Sequence, residues 1–295
     1  MNTRHFLLAA AALMAAACSN DERSNPQLAE ADNLISLTSS VGGLTRASDG
    51  LLAINFPNDT KVKVQVTDNA TSDAVTYDPV EYTADGNGGL DAGANKQFYP
   101  VSGSTVDIYA YYPSNAASAF EVASDQSDDD AYKTSDLMWA KIMGISKTST
   151  DEQRKLTFSH KLSKIVVTLQ KGDGISDDEI NAAALTLKSV KYKGTFTAST
   201  GGFTADDATQ DIIIANNAGT TAHAAIVVPQ DMGGKELEIK IGSATKTYTF
   251  PASSNFAVGT HNDYTITVKK SGIAVTSSIG TWNNGTALTP DPVEI

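Results

Sequence analysis

Many short stretches of alternating apolar and polar residues, glycine-rich turns between them and a single stretch of helical character predict an all-β chain built as two tandem antiparallel β-sandwiches. Parallel βαβ units would need an amphipathic helix between successive strands, and the sequence offers no such series. With 295 residues, less an export leader and a tether, there is room for two ordinary domains, expected at 47–152 and 153–295.

The chain opens with FLLAAAALMAAAC, an apolar run from Phe6 to Cys18 behind Arg4 and His5 that ends on small residues and the only cysteine. At 13 residues it is too short for a membrane-crossing helix, which needs about 20, and it reads as a secretory signal. Cys18 directly after Ala15-Ala16-Ala17 resembles a bacterial lipobox, although Ala15 stands where leucine is commoner. The resemblance implies a signal peptide at 1–17, cleavage before Cys18 and a lipid, diacylglycerol with palmitate-type acylation, on its sulfur. The other reading is an ordinary cut that leaves a free thiol. Residues 19–33 are polar and acidic, as a solvated linker is. Ser19, Asp21 and Glu22 resemble the surface-export signal of Bacteroidetes lipoproteins. Residues 18–46 thus form a tether, with a short strand at Leu34, Ile35 and Leu37 and a protease-accessible stretch around Arg46-Ala47.

From Leu51 onward strand follows strand. Val62, Val64 and Val66 alternate with Lys61, Lys63 and Gln65, and Val106, Ile108 and Ala110 alternate with Asp107 and Tyr109. Each set puts one face in a core. Asp85-Gly86-Asn87-Gly88-Gly89 has the glycines that tight connections need. An acidic loop is expected from Ser124 to Asp130 and a strand near Leu137 to Lys141, with the boundary near Thr148 to Glu152. Leu156 to Leu169 opens the second half, and Ser176 to Ala184 is the one helical candidate, its Asp177 and Asp178 suited to the N-terminal end. Strands are then expected at 185–192, 211–214, 223–228, 236–241, 246–250, 263–268 and 273–276.

Composition excludes several functions. Thirty-four acidic against 22 basic residues give a net charge of −12 and a pI near 4.7, without a Lys/Arg-rich stretch. Nucleic acid is therefore not an expected partner, since it requires a cationic face. One cysteine allows no internal disulfide. His160 reads as a histidine packed at a strand end, while His223 and His261 stand alone, so zinc-ligand spacing is missing. Asp128-Asp129-Asp130 lacks the glycine and glutamate of a calcium loop. There is no Gly-x-Ser-x-Gly elbow. Gly88-Gly89 and Gly201-Gly202 precede no helix that would cradle phosphate. Trp139 and Trp282 could stack on sugars but read first as core. The expectation is a protein that is not an enzyme and has no cofactor, metal or catalytic residue.

Five pieces in order carry a resemblance. Leu137–Lys141 (LMWAK), Leu156–Leu169 (LTFSHKLSKIVVTL), Val227–Gln230 (VVPQ), Gly259–Val268 (GTHNDYTITV) and Ile279–Trp282 (IGTW) resemble the fimbrillin family of Bacteroidetes. The resemblance spans most of the chain after Arg46. It implies two tandem transthyretin-like β-sandwich domains and a structural or adhesive subunit of a cell-surface fimbria, the type V pilus. It also implies a lipoprotein precursor at the outer membrane, cut between Arg46 and Ala47 by an arginine-specific protease. The strand near Leu34 to Thr38 would leave, and a C-terminal strand of another subunit would fill the groove. Implied partners are other fimbrial subunits through strand exchange, the outer membrane through the Cys18 lipid before processing, and a host or bacterial surface ligand. Pro290 and Pro292 lack backbone donors, so a donor strand is expected at Ile273 to Ile279 or near Ala287-Leu288. Stalk, tip and anchor roles stay open. The alternative is a surface-anchored lipoprotein that binds glycans without polymerising.

Overall fold

A computed structural model describes residues 33–42, 55–70, 77–216 and 221–281. In chain order come β1 (Leu37–Val41), β2 (Lys61–Asp68), β3 (Val80–Ala84), β4 (Gly89–Asp91) and β5 (Val106–Tyr112). Next are β6 (Ala119–Glu121), helix α1 (Asp129–Thr134), β7 (Met138–Ile145) and β8 (Lys155–His160).

Seven of these strands form a sheet that closes on itself in the order β1-β4-β3-β2-β5-β7-β8. The alternation read from sequence decides what it encloses: Val62, Val64 and Val66 are fully buried against Tyr82, Ile108, Leu156 and Phe158. Fully burying such side chains is worth about 1.5–3 kcal/mol each. The β3–β4 connection turns where expected. Gly86 and Gly88 have φ of +81° and +101°, and the Asp85 carboxylate accepts the Asn87 and Gly89 N–H groups at 2.7 and 2.8 Å. The acidic stretch at 124–130 is only partly a loop, because Asp128 accepts the N–H groups of Asp130 and Ala131 and starts α1.

The second unit contains β9 (Ser163–Lys171), α2 (Asp177–Asn181), β10 (Ala184–Lys191), β11 (Lys193–Thr197), β12 (Gly202–Ala205), β13 (Thr209–Ile213) and β14 (Ala215–Asn216). It continues with β15 (Ala222–Val227), β16 (Gln230–Asp231), β17 (Glu236–Ile241), β18 (Ala244–Thr249), β19 (Asn255–Phe256), β20 (Thr260–Lys269) and β21 (Gly272–Thr281). A four-stranded sheet, β13-β10-β17-β18, and a five-stranded sheet, β14-β15-β9-β20-β21, share one core that includes Ile165, Val167, Leu185, Leu237, Ile239 and Ile266. The expected helix is the five-residue α2. Ser176 caps it and Glu179 reaches back to the Ser176 N–H at 2.8 Å, a capping box.

The chain passes between the two cores more than once. The sequence-expected division at 152/153 falls just before β8, which pairs with β1 and β7. Conversely Phe120, Val122, Tyr132 and Leu137 are buried in the second core, and β6 adds to β11 in the three-stranded sheet β12-β11-β6. Gln126, fully buried, completes the seam by exchanging two hydrogen bonds of 2.8 Å with the backbone of Ile226.

Trp139 locks the junction. Its indole donates to the Ala198 carbonyl at 2.7 Å, Lys161 lies 4.7 Å above its ring, and Gly201 sits against its face with φ of +68°. A Cβ on Gly201 would overlap the indole, whereas one on Gly103, at φ +77°, would meet open space. Gly103→Ala should cost only the left-handed backbone penalty of about 1–2 kcal/mol, and Gly201→Ala should cost about 2 kcal/mol more through overpacking. Urea midpoints of the two variants measure the difference, and equal losses would show that the indole contact does not matter.

Candidate functional site

The site begins with backbone pairing of residues 33–42. Ile35 donates to the Gln97 carbonyl at 2.9 Å, Tyr99 donates to the Asn33 carbonyl at 2.8 Å, and Leu34 bridges Phe98. β1 then enters the sheet between two strands, antiparallel to β4 and parallel to β8, with Thr38 to Val41 in register with Lys155 to Phe158. Ser39 donates to the Gly88 carbonyl and Gly42 to the Phe158 carbonyl, both at 2.7 Å. The strand itself is Leu37–Val41, rather than the stretch from Leu34 to Thr38 expected from sequence, with Leu34 ahead of it in the Phe98 bridge.

Side chains alternate across this ladder. Ile35, Leu37 and Ser39 are 2%, 3% and 2% exposed, while Ser36 and Thr38 face solvent. Opposite stand Leu90 on β4 and Leu156 and Phe158 on β8, all buried. Withdrawing residues 33–42 would bare an apolar trough and two unpaired strand edges, which together accept an extended strand. The small serine in the row marks a shallow point of that trough.

The expected processing residues lie close by in sequence. Cys18, Arg46 and Ala47 are outside the described residues, as are Trp282 and the Ala287-Leu288 region. Arg46 follows Gly42 by four residues.

Other residues singled out by sequence have structural surroundings. His160, 1% exposed, has Nδ1 2.9 Å from the Asp136 carboxylate, itself fully buried, and so ties β8 to the start of β7. Asp136 is 24 positions away, and no local signal marks it as a partner. Trp139 belongs to the junction, Gly88 to a turn and Asp128 to a helix cap. No group of three or more His, Cys, Asp or Glu that could hold a metal occurs among the described residues.

The fimbrillin-like family profile matches residues 45–282. The chain belongs to the fimbrillin-like family. The matched span starts beyond β1 and takes in the rest of both units. A Bacteroides uniformis protein named "Putative fimbrium subunit Fim1C" is 26% identical over 91% of each chain. Two crystal structures of proteins described as "a putative cell adhesion protein" share the fold. The one from Bacteroides uniformis has a TM-score of 0.67 at 23% identity, covering 85% of this chain and 98% of its own. The one from Bacteroides ovatus has a TM-score of 0.64 at 21% identity, covering 88% and 99%. Family membership bears out the resemblance, the all-β fold and the expectation of a structural protein that is not an enzyme.

His223 gives this fimbrillin-like chain an acid sensitivity. It is 1% exposed, neither ring nitrogen has a hydrogen-bond partner, and burial pushes its pKa down to about 4. A histidine with a depressed folded-state pKa contributes its full stability above the unfolded value of about 6.5 and loses it as pH falls toward 4. Urea unfolding at pH 7 and pH 5 should show wild type losing about 2 kcal/mol more than His223→Leu over that interval. Identical pH dependence of the two proteins would refute a neutral buried imidazole.

Proposed function

We propose that the chain is a structural, adhesive subunit of a cell-surface fimbria of the type V pilus kind, exported as a lipoprotein precursor. A lipid on Cys18 holds the precursor at the outer membrane. Cleavage between Arg46 and Ala47 then frees the N-terminal segment, and a strand from another fimbrial subunit takes its place. The observation that carries this reading is the two-sided pairing of β1 between β4 and β8. β1 precedes every other described strand, so once the chain is cut after it the strand can be exchanged without rethreading the fold, while a strand joined on both sides cannot. Membership in the fimbrillin-like family and the name of the Fim1C relative support the fimbrial part of the reading.

The separation of anchor from fold has a physical rationale. Residues 19–33 are a polar span without large apolar clusters, so the lipid and the folded part act independently until the chain is cut. The full chain's net charge of −12, most of which lies beyond Arg46, keeps the released subunits soluble before they join. A surface ligand, host or bacterial, would be met by the assembled fibre.

Surface material from cells should start at Ala47 by N-terminal sequencing, and Arg46→Ala should leave an uncut, membrane-held monomer. Normal polymer from Arg46→Ala, or a mature protein that keeps a blocked Cys18 and binds polysaccharide as a monomer, would overturn the reading in favour of an anchored glycan-binding lipoprotein.

A further inference from the structure

We infer that the bond between Arg154 and Lys155 is a second cleavage site, covered while a strand occupies the place of β1 and open to the processing protease when that place is empty. The inference rests on the exchange reading above and adds its regulation. A subunit cut after Arg46 and never refilled would be destroyed by the enzyme that released it.

The cationic residues divide along the chain. Residues 1–46 contain three arginines, Arg4, Arg23 and Arg46, and no lysine, whereas residues 47–295 contain 18 lysines and one arginine, Arg154. Either residue type supplies a positive charge to a solvated surface, so charge alone does not explain the division. A folded part that meets an arginine-specific protease must leave arginine out or keep it covered. Arg154 is the one that needs cover.

β1 provides that cover. The β7–β8 connection reaches Arg154 through exposed Asp151, Glu152 and Gln153, a setting in which chains are ordinarily nicked. The Arg154 side chain, however, is 20% exposed, with Nη2 3.2 Å from the Asp151 carboxylate and Nε buried. Its carbonyl, the group a protease must polarise, accepts the Thr38 N–H at 3.4 Å. Lys155, Leu156, Thr157 and Phe158 pair with Thr38 to Val41, while β8 pairs with β7 only at Ser159 and His160. Among the described residues, β1 is therefore the sole ladder partner of the first four residues of β8. Cleavage inside a fold requires local opening of the backbone around the bond, and withdrawing β1 removes the rungs that resist it.

The reaction is hydrolysis. Water adds across the Arg154–Lys155 amide, leaving a carboxylate on Arg154 and an ammonium group on Lys155. The cut severs β7 from β8, so one wall of the groove no longer belongs to the chain that carries the other. A strand seated in the place of β1 would restore the rungs on Lys155 to Phe158 and protect the joined subunit.

The test is incubation of the dilute full chain with an arginine-specific protease, followed by intact mass. Wild type should lose its N-terminal segment first and then split into fragments 47–154 and 155–295. Excess peptide 33–44, which contains no arginine, should slow the second cut at least about tenfold by refilling the groove. Arg46→Ala keeps β1 joined and should resist cutting at Arg154 over the same period. Arg154→Lys should be cut after Arg46 and then persist whole. Cleavage of Arg46→Ala at Arg154 as fast as wild type overturns the proposal, because the bond is then open with β1 in place. So does wild type that is cut after Arg46 and binds labelled peptide 33–44, yet keeps the Arg154–Lys155 bond when no peptide is present; the exchange reading then stands without this one. If the peptide does not bind and the second cut does not appear, β1 has not left the sheet, and the exchange reading fails together with this inference.

Discussion

The closure of the first sheet by β1 is the constraint on which the rest depends. On one side β1 runs in register with four residues of the parallel strand β8, and on the other a three-residue strand, β4, gives only a short antiparallel contact. The strand is thus held by few hydrogen bonds and by the burial of Ile35 and Leu37, terms that add up to stability but not to permanence. Both neighbours belong to residues beyond 46, so neither is part of the segment that carries β1.

The groove that β1 occupies has support from elsewhere, at the junction. β8, one wall of the groove, continues after His160 and Lys161 into β9 at the centre of the second unit. The His160–Asp136 contact and the Trp139 cluster fix β7 and β8 at that crossing. The β8 wall is thereby tied to a core that β1 does not touch. Load applied to the second unit would reach the groove along one continuous backbone, which suits a subunit in a fibre.

Much of the fold was legible because burial on one face imposes period two. Val62, Val64 and Val66 and the Leu237, Ile239, Ile241 set needed no partner information, and the latter strand has the expected bounds, Glu236–Ile241. What was illegible depends on contacts distant in sequence. Leu156 to Leu169 reads as one apolar stretch, yet it divides near Lys161, whose N–H donates to the Leu137 carbonyl at 2.8 Å, and its halves enter different cores. No glycine or proline announces that break. Helix α1 is six residues long, too short for a periodic signal, and only the Asp128 cap could have suggested it. At the candidate site the arginine and the strand before it were visible. The resemblance implied that this strand fills a groove, but its neighbours were not legible, because they depend on pairing as distant as that between Thr38 and Lys155.

The treatment of sheet edges separates β21 from the rest. Proteins protect open edges with charge, shortness or covering segments. β14 has two residues, β6 three and β12 four. β13 carries Asp211, paired with Lys188, and β18 carries Lys246, which donates to the Lys270 carbonyl at 3.1 Å. Among the described edges β21 alone is ten residues long and uncharged. Left in solution such an edge invites indiscriminate pairing, which selection would remove unless the pairing were useful.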